Sequence, residues 1–223
     1  YDIDQRGNII INMSDPRNIR RLLNDFDYLS KTYFNHPSIL KVDGKVFTFF
    51  YLGRCFTGDV KGAFESLRES LKKKGHAIYI VGDEVYWQNP VDPFWNNRIK
   101  FYDAITAYNM LESPEKVENF EELVDEKYDE WYEACRGLNV GFIPDIIPGY
   151  DDRAARPEAH NPVLPKNAER FQKQIEIAMK YITKKRIILI TSFNEWHEYT
   201  SIEPSFEDSF SYLEILKKYI QTL

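Results

Sequence analysis

Five consecutive residues, Asn194, Glu195, Trp196, His197 and Glu198, put two carboxylates, an imidazole, an amide and an indole side by side. They follow the apolar run from Arg186 to Phe193, so the polar cluster falls where a buried strand should end. Glu195 and Glu198 would point to opposite faces of a continuing strand, but to the same side of a helical turn. Two neighbouring carboxylates suit cleavage of a glycosidic bond. One protonates the leaving oxygen, and the other serves as nucleophile or base. Carboxylates held close together push each other's pKa values apart, so that one can stay protonated at neutral pH. The Trp196 ring is either a platform for a sugar or a packing residue. Asn194 and His197 offer hydrogen bonds to sugar hydroxyls. A Glu-x-x-Glu pair on a surface helix is usually solvated charge; the position after a buried strand is what favours chemistry here.

A metal site is the competing reading, with His197, Glu198 and Glu203 joined by Asp151 or Asp152. The two-histidine helical zinc motif would need a histidine at position 201, which is Ser201. No metal and no cofactor are therefore expected. Cys55 lies just beyond a strand-like run but has no histidine near it in sequence, which makes a thiol nucleophile weaker still.

The elements that must position these groups alternate. Strand-like runs cover 46–52, 76–82, 103–109, 138–144 and 186–193, dense in Val, Ile, Phe and Tyr as buried parallel strands are. Amphipathic helical stretches cover 16–33, 59–74, 114–136, 167–184 and 207–223. Lys72, Lys73 and Lys74 before Gly75 mark a helix end, where positive charge meets the carbonyl dipole. This alternation implies a parallel sheet with crossover helices. An open doubly wound sheet and a (β/α)8 TIM-type barrel compete. No glycine-rich phosphate loop follows a strand, which weakens a nucleotide-binding open sheet. Barrels place functional groups at the carboxyl ends of several strands. Polar or aromatic clusters sit at such ends: Arg54 with Cys55, Asp83 with Glu84, Tyr108 with Asn109, Asp145 followed by Tyr150, Asp151, Asp152 and Arg153, and Asn194 to Glu198. Five units do not close an eight-stranded barrel. The expectation is a single domain over residues 1–223, a barrel lacking its first two or three strands, with Tyr1 and Asp2 as the tail of the third. The chain starts at Tyr1 rather than Met, so those strands are expected upstream, as a partner to this part.

With 223 residues, 43% of them hydrophobic, the chain can bury a substantial core. A net charge of −6 argues against a nucleic-acid partner. Aromatic residues make up 15% of the chain, which suits a sugar-stacking cleft as well as a core. No apolar run approaches the roughly 20 residues that span a bilayer. Two cysteines, Cys55 and Cys135, exclude a disulfide framework.

Several stretches resemble glycoside hydrolase family 99, the endo-α-mannosidases and endo-α-mannanases. They are His36–Lys45 (HPSILKVDGK), Ala104–Met110 (AITAYNM), Pro148–Arg153 (PGYDDR) and Ile190–Glu198 (ITSFNEWHE), followed by Thr200 and Ile202–Pro204. The resemblance implies a (β/α)8 barrel and a retaining, endo-acting hydrolysis of α-mannosides without a covalent enzyme intermediate. Glu195 matches the residue that takes a proton from the sugar 2-hydroxyl, whose oxygen then forms a 1,2-anhydro ring. Glu198 matches the general acid that later activates water. Tyr108 matches a tyrosine that hydrogen-bonds the first carboxylate. The substrate-binding set is then Asn194, Trp196, His197, Tyr150, Asp151, Arg153, Asp83 and Glu84. Tyr199 departs from the family, which usually has Gly there; Leu52 stands where members carry Asp. A polysaccharide-biosynthesis transferase on the same barrel and a non-catalytic carbohydrate-binding remnant remain alternatives.

Overall fold

The computed structural model describes residues 2–3, 9–85, 98–108 and 117–221. Asn109, Met110 and the first residues of the helix expected from position 114 lie outside them. The chain divides into two compact units. The first holds Tyr1–Glu84, Pro90–Ile105 and Gly137–Gly141; the second holds Val85–Asn89, Thr106–Arg136 and Phe142–Leu223.

In the first unit, β1 (Asp2–Ile3), β2 (Ile9–Asn12) and β5 (Phe56–Thr57) form a small sheet in which β1 is antiparallel to β2 and β2 parallel to β5. Asp2 is thus in a strand, but one arm of an antiparallel pair rather than the tail of a parallel one. A larger sheet runs in the order β3 (Lys41–Val42), β4 (Lys45–Phe50), β6 (Ile78–Asp83), β7 (Ala104–Thr106) and β8 (Gly141–Phe142), the last two passing on into the second unit. β4 and β6 are parallel over the register Val46↔Ile78 to Phe50↔Gly82. Parallel neighbours need a crossover, and α2 (Val60–Lys72) supplies it.

The reasons for α2 are local. Asp59 caps it by accepting from the Gly62 N–H at 2.9 Å. Val60, Ala63, Phe64, Leu67 and Leu71 recur at helical spacing and are all buried. Each large apolar side chain buried this way stabilises by roughly 2 kcal/mol. The helix ends at Lys72, and Gly75 turns the chain at φ +82°. α1 (Pro16–Thr32) begins likewise, with Asp15 accepting from Arg17 N and Pro16 in the first turn. Phe26, Phe50 and Phe64 stack at 5.6 Å spacings, and Tyr102 packs on Phe64 at 5.4 Å. Tyr102 also lies so close to Gly82 that a Cβ there would sit 2.5 Å from its ring.

In the second unit, α3 (Phe120–Leu138) buries Val124, Tyr128, Trp131 and Cys135. It runs past Gly137, and Asn139 reverses the chain at φ +57°. The strand expected over 138–144 is split. Pro144 has no N–H to donate, and the chain passes from β8 to β9 (Asp145–Ile146) around it. β9 pairs in parallel with β10 (Leu189–Ile190). α4 (Ala168–Tyr181) packs on β9 through Gln174. Its amide accepts from Ile147 N at 3.1 Å and donates to Ile147 O at 2.8 Å, pinning the strand end. Phe171 of α4 meets Tyr212 of α5 (Ser211–Ile220) edge to face at 5.3 Å. Among the described residues no helix is long and apolar enough to cross a membrane.

Candidate active site

The run after β10 leaves the sheet sooner than its apolar sequence suggests. Thr191 N still donates to Ile146 O at 3.0 Å. Ser192 then turns the chain, its N–H donating to Thr200 O at 3.0 Å and its hydroxyl sharing a 2.8 Å hydrogen bond with Thr200 Oγ1. The Glu203 N–H donates to Phe193 O at 2.8 Å. Residues 193–199 thus form a loop clamped at its base, with Thr200 and Ser201 buried beneath it. Inside it, Glu195 N donates to Ser192 Oγ at 2.9 Å and Tyr199 N to Trp196 O at 3.2 Å. This is a turn rather than a strand, and it carries both Glu195 and Glu198.

The two carboxylates are held differently. Glu195 Oε1 accepts from the His197 N–H at 3.1 Å, so it is ordered by its own turn. Glu198, whose side chain is 13% exposed, is gripped from two other segments of the second unit. The Arg156 Nη1 donates to its Oε1 at 3.0 Å, and the Tyr108 hydroxyl lies 3.2 Å from its Oε2. The Tyr108 contact therefore falls on the second carboxylate, not on the first as the resemblance led one to expect.

The loop that begins at Tyr150 supplies the support. Tyr150 and Leu164 exchange two backbone hydrogen bonds of 2.8 Å, closing it, and Asp151 N donates to Glu198 O at 2.9 Å. Asp152 is its buried hub. Its Oδ2 accepts from the Tyr150 hydroxyl at 3.0 Å, Arg156 Nη1 at 2.9 Å and Asn161 Nδ2 at 2.7 Å. Its Oδ1 is buried without a hydrogen-bond partner. Burial alone would push the Asp152 carboxyl up. The bonds from Arg156, Asn161 and Tyr150 outweigh it and hold the group below the usual carboxylate range. Burial and the Asp152 carboxylate push the Tyr150 phenol up. Arg156 is raised by its bonds to Asp152 and Glu198, and so is a permanent cation shared between two acids. Asp151 and Arg153 instead pair with each other through bonds of 2.8 and 2.6 Å on an exposed edge.

Trp196 is 45% exposed, yet its ring is tethered, with Nε1 donating to Glu203 Oε2 at 2.9 Å. Asn194 and His197 are exposed. Tyr199 sits at φ +56°, a left-handed conformation that costs a non-glycine residue roughly 1–2 kcal/mol. Lys166, its side chain only 3% exposed, binds Asp208 at 2.5 Å and lies 5.4 Å from the Tyr199 ring and 4.7 Å from that of Tyr212. Such cation–π contacts return about 0.5–1 kcal/mol.

Asp83 and Glu84 belong to the first unit and are occupied. Asp83 Oδ2 accepts from Leu52 N at 2.9 Å and Arg54 Nη1 at 2.5 Å. Both oxygens of Glu84, a side chain 1% exposed, are taken by Arg98 at 2.8 and 2.5 Å. Burial pushes Glu84 up even against the arginine. Both carboxylates are thus held by arginines within the first unit.

Sequence reasoning missed Arg156 and left Asp152 out of the candidate set; the Asp-x-x-x-Arg spacing within the loop was the available signal. Among the described residues no three His, Cys, Asp or Glu side chains converge as a metal cage requires. A cavity of about 500 Å³, lined by Glu169, Gln172, Lys173 and Lys218 among others, touches none of these groups.

A stretch of 70 residues is 43% identical to a glycoprotein endo-alpha-1,2-mannosidase-like protein of Danio rerio, covering 31% of this chain and 15% of that protein. Over 72 residues the chain is 42% identical to glycoprotein endo-alpha-1,2-mannosidase of Xenopus laevis, covering 32% of the chain and 16% of the relative. These matches span only a small part of the relatives' length. A solved glycoside hydrolase-like protein superposes with a TM-score of 0.86 at 23% identity, over 97% of this chain and 66% of that one. The endo-alpha-mannosidase of glycoside hydrolase family 99 from Bacteroides thetaiotaomicron superposes with a TM-score of 0.71 at 18% identity, over 95% and 65%. The fold is accordingly the (β/α)8 barrel type, similar to that of the family 99 enzyme. The family model described as glycosyltransferase WbsX matches residues 8–216, nearly the whole sequence, and the chain belongs to that family.

Proposed function

We propose that the protein is a retaining, endo-acting glycoside hydrolase on α-mannosides or related glycans, working through the sugar 2-hydroxyl. The observation that carries this is the clamped turn 193–199, which bears both acids and a tethered, exposed indole. Glu195 removes the proton from O2 of the sugar, and O2 attacks C1 while the bond from C1 to the leaving oxygen breaks. Glu198 gives that oxygen its proton. In the second step Glu198 takes a proton from water, which opens the anhydro ring at C1, and Glu195 returns the proton to O2. Two inversions at C1 give net retention. The Tyr108 contact suits a group that changes state. A phenol can donate to a carboxylate and accept from a carboxylic acid, so Tyr108 can follow Glu198 through both steps. Arg156 keeps Asp152 as a partner throughout.

The description of the family favours a second reading, transfer of the same glycosyl unit to a sugar acceptor instead of water. Both readings use the same first step. The test is hydrolysis of α-1,2-linked manno-oligosaccharides by wild type, E198Q and E195Q. Each variant should lose turnover by a factor of 10³ or more while binding persists. A 2-deoxy substrate should not react; its rapid cleavage would overturn the 2-hydroxyl route. Glycosylated acceptor without net hydrolysis would select transfer.

A further inference from the structure

We propose that Arg156 is a positioning residue for the reaction: by binding Oε1 of Glu198 it confines the transferable proton to Oε2. The inference rests on the glycoside-cleaving reading above. One nitrogen, Arg156 Nη1, donates to Glu198 Oε1 at 3.0 Å and to Asp152 Oδ2 at 2.9 Å. A terminal guanidinium nitrogen has two hydrogens to give and accepts none, so each acid takes one of them. Oε1 therefore has to remain an acceptor in either state of Glu198. The other oxygen, Oε2, lies 3.2 Å from the Tyr108 hydroxyl, a group that can accept as well as donate. A proton on Glu198 is accommodated at Oε2 and opposed at Oε1.

Asp152 makes this arrangement last through the reaction. The Arg156 side chain is half exposed, and a protonated Glu198 is a neutral, weaker acceptor for it. Held by Glu198 alone, the guanidinium would drift into water at the stage when the acid must be aimed. The Asp152 side chain is 1% exposed and is itself fixed, by the Tyr150 hydroxyl at 3.0 Å and Asn161 Nδ2 at 2.7 Å. The two segments are also joined through their backbones, where Asp151 N donates to Glu198 O at 2.9 Å. Arg156 thus reaches Glu198 from a fixed base. In the first step Oε2 gives its proton to the leaving oxygen, which also takes the electron pair of the breaking bond to C1. The O–H pair stays on Oε2, and Glu198 becomes a carboxylate with a cation already in contact with it.

The experiment compares wild type, R156M, R156Q and R156K on α-1,2-mannotriose and on α-mannobiosyl fluoride. Fluoride leaves without a proton, and kcat/KM for its release covers only the steps through bond breaking. On the trisaccharide, R156M and R156Q should lose about 10²-fold in kcat with KM nearly unchanged, the scale of a misaimed acid. On the fluoride both should keep the wild-type rate. R156K should recover most of the loss, because an ammonium can also donate to two acids. Equal losses on both substrates, a loss confined to KM, or no loss on the trisaccharide would each overturn the proposal and leave the hydrolase reading standing. Wild type that cleaves neither substrate would sink the hydrolase reading first and this inference with it. If circular dichroism finds R156M unfolded, R156Q is read in its place. Both unfolded would make Arg156 a structural prop, and the proposal fails.

Discussion

Replacing Asp152 with asparagine tests the support of the site more directly than touching the acids does. One oxygen of this buried carboxylate takes three hydrogen bonds of 2.7–3.0 Å, and the other has no partner. An asparagine oxygen in the first position keeps the acceptor but loses its charge, which roughly halves the strength of each bond. The amide nitrogen then occupies the buried position and strands a donor, at a cost of about 1–3 kcal/mol. Arg156 is 51% exposed, so solvent recovers part of what it loses. The sum is about 3 kcal/mol at pH 7, or a fall in Tm of about 6–12 °C for a chain of this size. The pH dependence carries the sharper sign. The folded pKa of Asp152 lies below its ordinary 3.8. Between the folded and ordinary values the unfolded chain binds more protons, so stability rises with pH there. The stabilisation is full above the ordinary carboxylate range and is lost as pH drops through the folded value. Thermal unfolding of wild type and D152N, followed by circular dichroism from pH 7 to pH 3, should show the gap closing as pH drops below about 4. A gap that stays constant down to pH 3, or no gap at pH 7, would refute the reasoning.

Other expectations follow from the same contacts. Trp196→Ala should weaken manno-oligosaccharide binding by about tenfold or more while Tm moves by only about 2 °C, because the ring is half exposed; a large Tm loss with unchanged affinity would make Trp196 a packing residue. Glu84→Ala removes the bidentate partner of a nearly buried Arg98 and should cost about 3–5 kcal/mol in urea unfolding. An unchanged midpoint would show the pair to be dispensable.

Much of the helical architecture was legible because its signals are local. α2 can be read from Asp59 as cap, the stripe from Val60 to Leu71, and the lysines before Gly75. Strand ends were read less well. The runs 138–144 and 186–193 are mostly apolar, and apolarity marks burial without saying where a ladder stops. Pro144 and the Ser192–Thr200 clamp decide that, and the second is a contact between residues eight apart. At the site, the adjacency of Glu195 and Glu198 made the pair easy to find. Arg156 was not, because its importance comes from a carboxylate 42 positions away. Asp83 and Glu84 show the converse. Their position after a strand promised solvent-facing groups, but arginines from other segments of the same unit consume them.

The clamp between Ser192 and Thr200 also bears on how such a site can change over time. Both acids hang from one seven-residue span whose two ends are tied to each other. Drift of a neighbouring helix or strand displaces them together and leaves their mutual spacing as it was. New ligands must then be won by editing the flanking rings and loops, while the acid pair travels through descent as a single inherited part.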